Sequence, residues 1–381
     1  MSSIFEPIRR LLTPVKPLSP GIFHYQAPPE APVQYRLHLR LEPDGTGLLI
    51  VNASTILHLN QTAAEFAYHL VKQTPEPQMA KEISGRYRVG RQQALDDFRI
   101  LNDRILTLIH TPDLDPEMFL DFERSAPHSK KLSAPYRLDC ALTYRLPGSA
   151  DENLAPTKRV DRELTTEEWC GVFDKGWGLG IPHIILTGGE PTLRDDLPEL
   201  IAHTETNGQV VGLLTDGIKL TDNDYLQLLL KTGLDHLMLS LKLEDENSWK
   251  ALTNVVATDL FVAVHLTVTL QNVINMPQTL ERISKLGVKA LSLSASDASL
   301  HGSLLKFRNQ AASLGLSLVW DLPVPYSAFN PVALETQLDN IAEGAGHSWL
   351  YIEPDGDVLP SQGINQVRGN ILRDPWETLW R

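Results

Sequence analysis

From Tyr35 to Asn60 apolar and polar positions alternate in "YRLHLRLEPDGTGLLIVNASTILHLN", broken by Pro43, Asp44 and Gly45 and again by Asn52 and Ala53. A period of two marks strands with one covered face, so the stretch predicts three short strands. The period then lengthens. Helices are predicted over "AAEFAYHLVKQ" (63–73), with Thr62 as the capping residue, over "PQMAKEISGRY" (77–87) and over "RQQALDDFRILNDRILTLIH" (91–110). A small sheet with three helices therefore occupies 33–115. Residues 1–32 ahead of it are rich in proline and aperiodic, and read as an extended arm that needs a partner surface to become ordered.

Beyond a polar linker at 116–134, apolar runs alternate with helix-length segments. The runs are "RLDCALTY", "HIILTGG", "VVGLLTDG", "DHLMLSLK", "FVAVHLTVTL", "ALSLSAS" and "LSLVWDLP". Strands separated by helices specify parallel βαβ units, hence an α/β fold, and predict a partial (β/α)6 barrel over 135–310. Ligands of such sheets sit at the C-terminal strand ends, where the glycine pair, "TDG" and "SLK" fall. Residues 311–381 are richer in turn formers, and "SWLYIEPDGDVLPSQG" predicts a hairpin at Asp355 and Gly356 within a short appended domain.

Composition narrows the function. A chain of 381 residues suggests two or three domains, and its net charge of -13, from acids scattered throughout, argues against nucleic-acid or anionic-membrane surfaces. No apolar run reaches about 18 residues, and the N-terminus lacks a secretory signal, so the chain reads as cytoplasmic with no membrane partner. Cys140 and Cys170 are its 2 cysteines, too few for a disulfide framework or for three thiolates on a metal. The histidines follow no metal-binding spacing, so no metal site is expected, and His183, His236 and His265 read as core groups within strand runs.

One loop carries a candidate site. In "IILTGGEPTLRDDL" (184–197) a buried strand runs into Gly188 and Gly189, which allow a sharp turn and close approach to a ligand. Glu190 can accept hydrogen bonds from a cationic amine, and Pro191 fixes the backbone after it. A dedicated ligand site and an ordinary strand-to-helix turn both fit this pattern.

From about 136 to 381 the chain resembles the radical S-adenosylmethionine enzymes, especially the branch with a C-terminal SPASM or twitch extension that modifies ribosomally made peptides. The matching stretches are "LTYR", "ELTTEEW", "LTGGEPTLRDDLPELI", "LLTDGIKL", "GLDHLMLSL", "HLTVTLQNVINMPQTLERISKLGV" and "LYIEPDGDVLPSQG" with "GNILRDPWETLW". The resemblance implies that Gly188, Gly189, Glu190 and Pro191 bind the methionyl amine of S-adenosylmethionine, with Thr215 and Ser240 as further cofactor-binding candidates. It also implies a C-x3-C-x2-C motif after "LTYR" for a four-iron cluster. Those positions are Leu146, Ala150 and Asn153, and Ser361 stands where relatives carry a cysteine after "GDVLP". No iron-sulfur cluster is expected in this chain, and S-adenosylmethionine remains a candidate ligand. Lys242 follows "SL" where relatives often have an acid.

Residues 33–112 resemble the PqqD-like peptide-recognition module through "TILHLNQTAAEFAYHLV" and "FRILNDRILTLI". Such modules take a leader peptide as an added strand. A leader would pair with "TILHLN" and bury side chains near Leu57, Leu59, Phe98, Leu101 and Ile105, although the helical stripe of Phe98, Leu101 and Ile105 equally describes the module's own core. The favoured reading is an inert radical S-adenosylmethionine homologue that binds a precursor peptide, as a homodimer or beside an active paralogue. The alternatives are a cluster-free enzyme such as a methyltransferase, or a winged-helix regulator.

Overall fold

The computed structural model describes residues 15–53, 55–111, 132–148, 153–335 and 342–380. The chain divides into two units, Met1–Ala126 and Pro127–Arg381. Most of the expected linker lies outside the described residues.

The first unit is an antiparallel meander, β1 (Gly21–Gln26), β2 (Arg36–Leu41), β3 (Gly47–Val51) and β4 (Thr55–Leu59), with helices α1 (Gln61–Val71), α2 (Glu76–Arg86) and α3 (Arg91–His110). Strands β2 to β4 are the three read from alternation, and their apolar positions align across the sheet, Leu39 opposite Leu49 and Leu49 opposite Leu57. Strand β1 was not legible. It lies in the segment read as an arm, pairs with β2 through Phe23 opposite Leu39, and stacks Phe23 edge-on against Tyr68 with centroids 4.9 Å apart. Pro20 and Pro28 flank the strand rather than interrupt it, so the proline content did not preclude pairing. The cap of α1 is also one step from expectation: Asn60 Oδ1 accepts from the Ala63 amide at 3.0 Å, and Thr62 lies inside the first turn.

The expected peptide-contacting side chains belong to this unit's own core. Leu57, Leu59 and Ile105 pack with Leu37, Leu39 and Ala67, while Phe98 packs with Phe66, Met79 and Ile83, and half-buried Leu101 touches both clusters. Helical spacing identified the covered face of α3 correctly, and the cover is helices α1 and α2 at Phe98 and the sheet at Ile105. Among the described residues β4 pairs only with β3, so its outer backbone edge is free of other strands.

The second unit holds a sheet of β5 (Arg137–Thr143), β6 (His183–Gly188), β7 (Val210–Thr215), β8 (His236–Ser240), β9 (Phe261–Val268), β10 (Ala290–Ala295), β11 (Ser317–Leu318), β12 (Trp349–Ile352), β13 (Asp357–Leu359) and β14 (Gly369–Asn370). Strands β5 to β11 are parallel neighbours in chain order, with helices α4 (Thr166–Gly178), α5 (Leu197–Asn207), α6 (Asn223–Lys231), α7 (Glu246–Val256), α8 (Met276–Lys285) and α9 (His301–Ser313) between them. The last parallel strand therefore lies past residue 310, inside the region read as appended. On the other side β12 adds to β5 in parallel, and the expected hairpin at Asp355 and Gly356 joins it to antiparallel β13.

Both faces of the parallel sheet are covered, which explains its continuous apolar runs. One face, with Leu138, Cys140, Ile184 and Leu213, packs on helical residues such as Trp169, Phe173 and Leu200. The opposite face carries Ile185, Leu214, Met238, Ala263 and Ala290. At the N-terminal strand ends His183 Nε2 lies 2.8 Å from His236 Nε2, so one ring donates to the other.

Burial pushes the His236 imidazole down to about 4, helped by Arg137, and burial alone does the same to His265. A free imidazole titrates near ~6.5, so below that pH the unfolded chain binds protons that the folded chain refuses. Stability from these groups is complete above that value and is lost as pH falls toward 4. Melting temperatures measured in pH steps should drop through this window, and a flat profile would contradict the buried neutral state. Among the described residues no helix is long and apolar enough to cross a membrane.

Candidate functional site

The C-terminal ends of β6 to β9 open into a cavity of about 520 Å³. Its polar groups come from the last turns of these strands and the loops that leave them, where ligands of parallel α/β sheets bind. Gly189 and Glu190 follow β6, Asp216 follows β7, Ser240 ends β8 with Lys242 just beyond, and His265 and Thr267 lie on β9. Its apolar wall comes from Leu146 and Leu154 and from the segment 324–329, including Tyr326 and Phe329.

Glu190 is the most constrained group. Its Oε1 accepts from the Thr192 amide at 3.0 Å, the Thr192 hydroxyl at 2.6 Å and the Thr215 hydroxyl at 2.7 Å, and Oε2 accepts from the Asp216 amide at 2.8 Å. Three of these bonds crowd onto Oε1, while Oε2 accepts one and keeps a second acceptor position. Burial, together with the adjacent Asp216, pushes its pKa up to about 7. Asp216 is anchored as well: Oδ1 accepts from the Ile218 amide at 3.0 Å and Oδ2 pairs with Lys242 Nζ at 2.9 Å. His265 is held neutral between hydroxyls, with Ser292 Oγ 3.0 Å from Nδ1 and Ser294 Oγ 3.1 Å from Nε2.

Of the expected cofactor residues, Gly189, Glu190 and Ser240 border the cavity, whereas Gly188, Pro191 and Thr215 do not. Gly188 ends β6, Pro191 opens a short 3-10 turn, and Thr215 acts by bonding Glu190. Asp216 and Lys242 sit in the "TDG" and "SLK" stretches that the strand-end rule had flagged. His265 was read as core and is both buried and at the cavity. The wall at 324–329 had no sequence signal, because its residues meet the strand ends only through the chain's return after β11.

Residues 140–258 match the Radical SAM superfamily. The chain is 31% identical over 172 residues to a PqqA peptide cyclase of Granulibacter bethesdensis, covering 41% of this chain and 46% of that one. It is 26% identical over 280 residues to a PqqA peptide cyclase of Streptomyces rochei, covering 65% and 76% respectively. A third, from Rhizobium meliloti, is 36% identical over 114 residues, which is 29% of this chain and 30% of that relative. The chain thus spans less than half of two of these three relatives. In fold it is similar to Streptococcus suis SuiB bound to S-adenosylmethionine, with a TM-score of 0.58 and 14% identity over 90% of this chain and 86% of that one. SuiB bound to its precursor peptide SuiA is similar too, with a TM-score of 0.56 and 15% identity over the same shares, 90% and 86%.

The radical SAM resemblance implies a cluster, and the residues at hand do not fit one. Cys140 is fully buried on the helix-facing side of β5, where burial and then Asp139 raise its thiol well above the usual range. Cys170 is half-buried on α4, and neither cysteine borders the cavity. Of the three positions after "LTYR", Leu146 lines the cavity with an apolar side chain, Asn153 is not a thiolate, and Ala150 lies outside the described residues. Among the described residues no group of three His, Cys, Asp or Glu side chains could hold a metal. At Glu190 the four internal hydrogen bonds leave one acceptor position, on Oε2, for an amine such as that of S-adenosylmethionine.

Proposed function

We propose that this chain is a peptide-binding relative of the radical S-adenosylmethionine enzymes that modify ribosomally made peptides, with neither an iron-sulfur cluster nor radical chemistry of its own. The observation that carries the reading is the donor set: among the described residues no thiolate lines the cavity, and the cysteines lie elsewhere in the fold. In this reading the parallel sheet is a partial (β/α)6 barrel, residues 33–115 are a PqqD-like, winged-helix-like recognition domain, and the residues after about 311 are a SPASM or twitch-like extension without its metal ligands. A leader peptide adds to the free edge of β4 through main-chain pairing. The similarity to PqqA peptide cyclases and to SuiB, which has been seen with its precursor peptide, supports a peptide as partner. A heteromer with an active paralogue would bring the recognised peptide to a catalytic centre, whereas a homodimer would present two recognition domains.

Protein purified without oxygen should contain no stoichiometric iron or acid-labile sulfide. A four-iron cluster intrinsic to the isolated chain would overturn the proposal. The recognition half is read by hydrogen exchange: a precursor peptide co-purified from the native source should slow exchange at β4 amides, and binding without that protection would move the peptide elsewhere.

A further inference from the structure

We propose that the cavity at the ends of β6 to β9 takes up a basic side chain presented by an apolar stretch of peptide, with Glu244 and Asp245 as the anchors of its cation. The inference rests on the reading of this chain as a peptide binder and adds a contact in the second unit with its own chemistry. Charge decides the sign of the ligand. Glu190, Asp216, Glu244 and Asp245 line the cavity, and among the described residues Lys242 is the one cationic side chain there. Lys242 is already paired with Asp216 at 2.9 Å, and His265 is held neutral by burial, so neither offsets the other three acids. Glu244 and Asp245 lie on the connection from β8 to α7. Glu244 is exposed and makes no ion pair among the described residues. Asp245 spends Oδ1 on the Asn247 amide at 2.9 Å, where it caps α7, and keeps Oδ2 for a ligand.

The remaining lining says what carries the cation. Ser240 Oγ is buried without a hydrogen-bond partner on the same connection, and a ligand satisfies it by donating from an ammonium or accepting through a peptide carbonyl. Val324, Pro325 and Phe329 give the cavity an apolar wall, against which the methylene stem of a basic side chain packs. The apolar character continues outside. Phe329 is 46% exposed, and Leu270 and Ile274, which bracket the cavity-lining Gln271 and Asn272 on the loop after β9, are 65% and 77% exposed. Exposed apolar groups beside a polar pocket mark a surface that a larger partner covers. A small amine held in about 520 Å³ would leave them in water, whereas apolar residues on either side of a lysine or arginine would cover them, and this selects a peptide.

The full chain is titrated by calorimetry and ligand-observed NMR with the pentapeptide Ala-Phe-Lys-Phe-Ala, acetylated and amidated at its ends, and with the same peptide carrying norleucine for lysine. Blocked ends leave no α-amine for the open position on Glu190, so the side-chain cation alone is read. The lysine peptide should bind, and the norleucine peptide should be about tenfold weaker, the size expected when charge-assisted hydrogen bonds are lost. A double variant, Glu244→Gln with Asp245→Asn, should weaken the lysine peptide by a similar factor and leave the norleucine peptide unchanged, since asparagine keeps the cap of α7. Phe329→Ala should weaken both peptides alike. N-acetyl-lysine amide, which carries the cation without the apolar neighbours, should bind at least about tenfold more weakly than the pentapeptide. Equal binding of the two peptides, undiminished lysine-peptide binding by the folded double variant, or binding of N-acetyl-lysine amide as tight as that of the pentapeptide would each overturn the proposal. If the double variant fails to fold, the lysine-to-norleucine ratio on the unaltered chain decides alone. Failure here leaves the exchange measurement at β4 standing, and loss of protection at β4 leaves this titration standing, so the two readings fail separately.

Discussion

Arg159→Met will destabilise the second unit by about 3 kcal/mol at neutral pH, the cost of leaving buried acids without their cation. Arg159 is the hub of a network assembled from distant segments. Its Nε donates to Glu353 Oε1 at 2.6 Å, and its terminal nitrogens donate to the two Glu335 oxygens at 2.8 and 3.0 Å. Tyr144 completes Glu353 with a hydrogen bond of 2.8 Å, and the Tyr326 hydroxyl donates to Glu335. Burial raises the Glu353 pKa and Arg159 pulls it back, so without Arg159 the carboxyl titrates higher still. The sign follows directly: an acid whose folded pKa lies above its unfolded value contributes more stability as pH falls, so the variant should regain part of its loss between pH 7 and 5.5. A triple variant adding Glu335→Gln and Glu353→Gln should recover much of the remainder, because neutral amides leave no uncompensated charge. Chemical denaturation at both pH values reads all of this, and an Arg159→Met chain as stable as the parent would show that the network contributes nothing.

The second large effect is expected at Gly188. Its φ of 127° lies where only glycine rests comfortably, and a Cβ there would stand 2.2 Å from the Thr143 carbonyl oxygen. Gly189 is as tightly placed, 2.3 Å from the Arg145 oxygen, because the Gly189 and Glu190 amides donate to Thr143 and Arg145 at 2.8 and 2.9 Å. A methyl group at 188 combines backbone strain with a clash against main chain, so Gly188→Ala should cost about 3 kcal/mol or more and lower the yield of soluble protein. Gly85→Ala, where an added Cβ meets nothing within 4 Å, is the matched control in a helix and should be neutral or slightly stabilising. Equal melting temperatures for the two variants would refute the packing account. That account gives the glycine pair a structural role independent of any ligand: the loop after β6 needs both residues to close against the end of β5.

What the sequence disclosed and what it hid divide along physical lines. Strands β5 to β10 were legible since each is a run of apolar residues bounded by turn formers, and their C-terminal ends pointed to Glu190, Asp216 and Lys242. Strand β1 was hidden because six residues between prolines carry too little periodicity to register, and its pairing depends on β2 rather than on its own pattern. The stripe of Phe98, Leu101 and Ile105 announced a buried face without saying what buries it: helices α1 and α2 cover its Phe98 end and the sheet its Ile105 end. The Arg159 network was invisible for a different reason: Tyr144, Arg159, Tyr326, Glu335 and Glu353 share no spacing, and only the return of the chain after β11 brings them together.

The pairing of β12 with β5 sets a clock on this molecule. Leu138 lies beside Leu350 and Cys140 beside Ile352 in one parallel ladder, yet the second strand of the pair is synthesised about two hundred residues after the first. Until then the outer backbone of β5 is an open edge beside a largely formed sheet, with the apolar residues of the Tyr144 and Tyr351 cluster uncovered. A ribosome-bound intermediate of this kind is a target for chaperones and for self-association, and the final few dozen residues are what retire it.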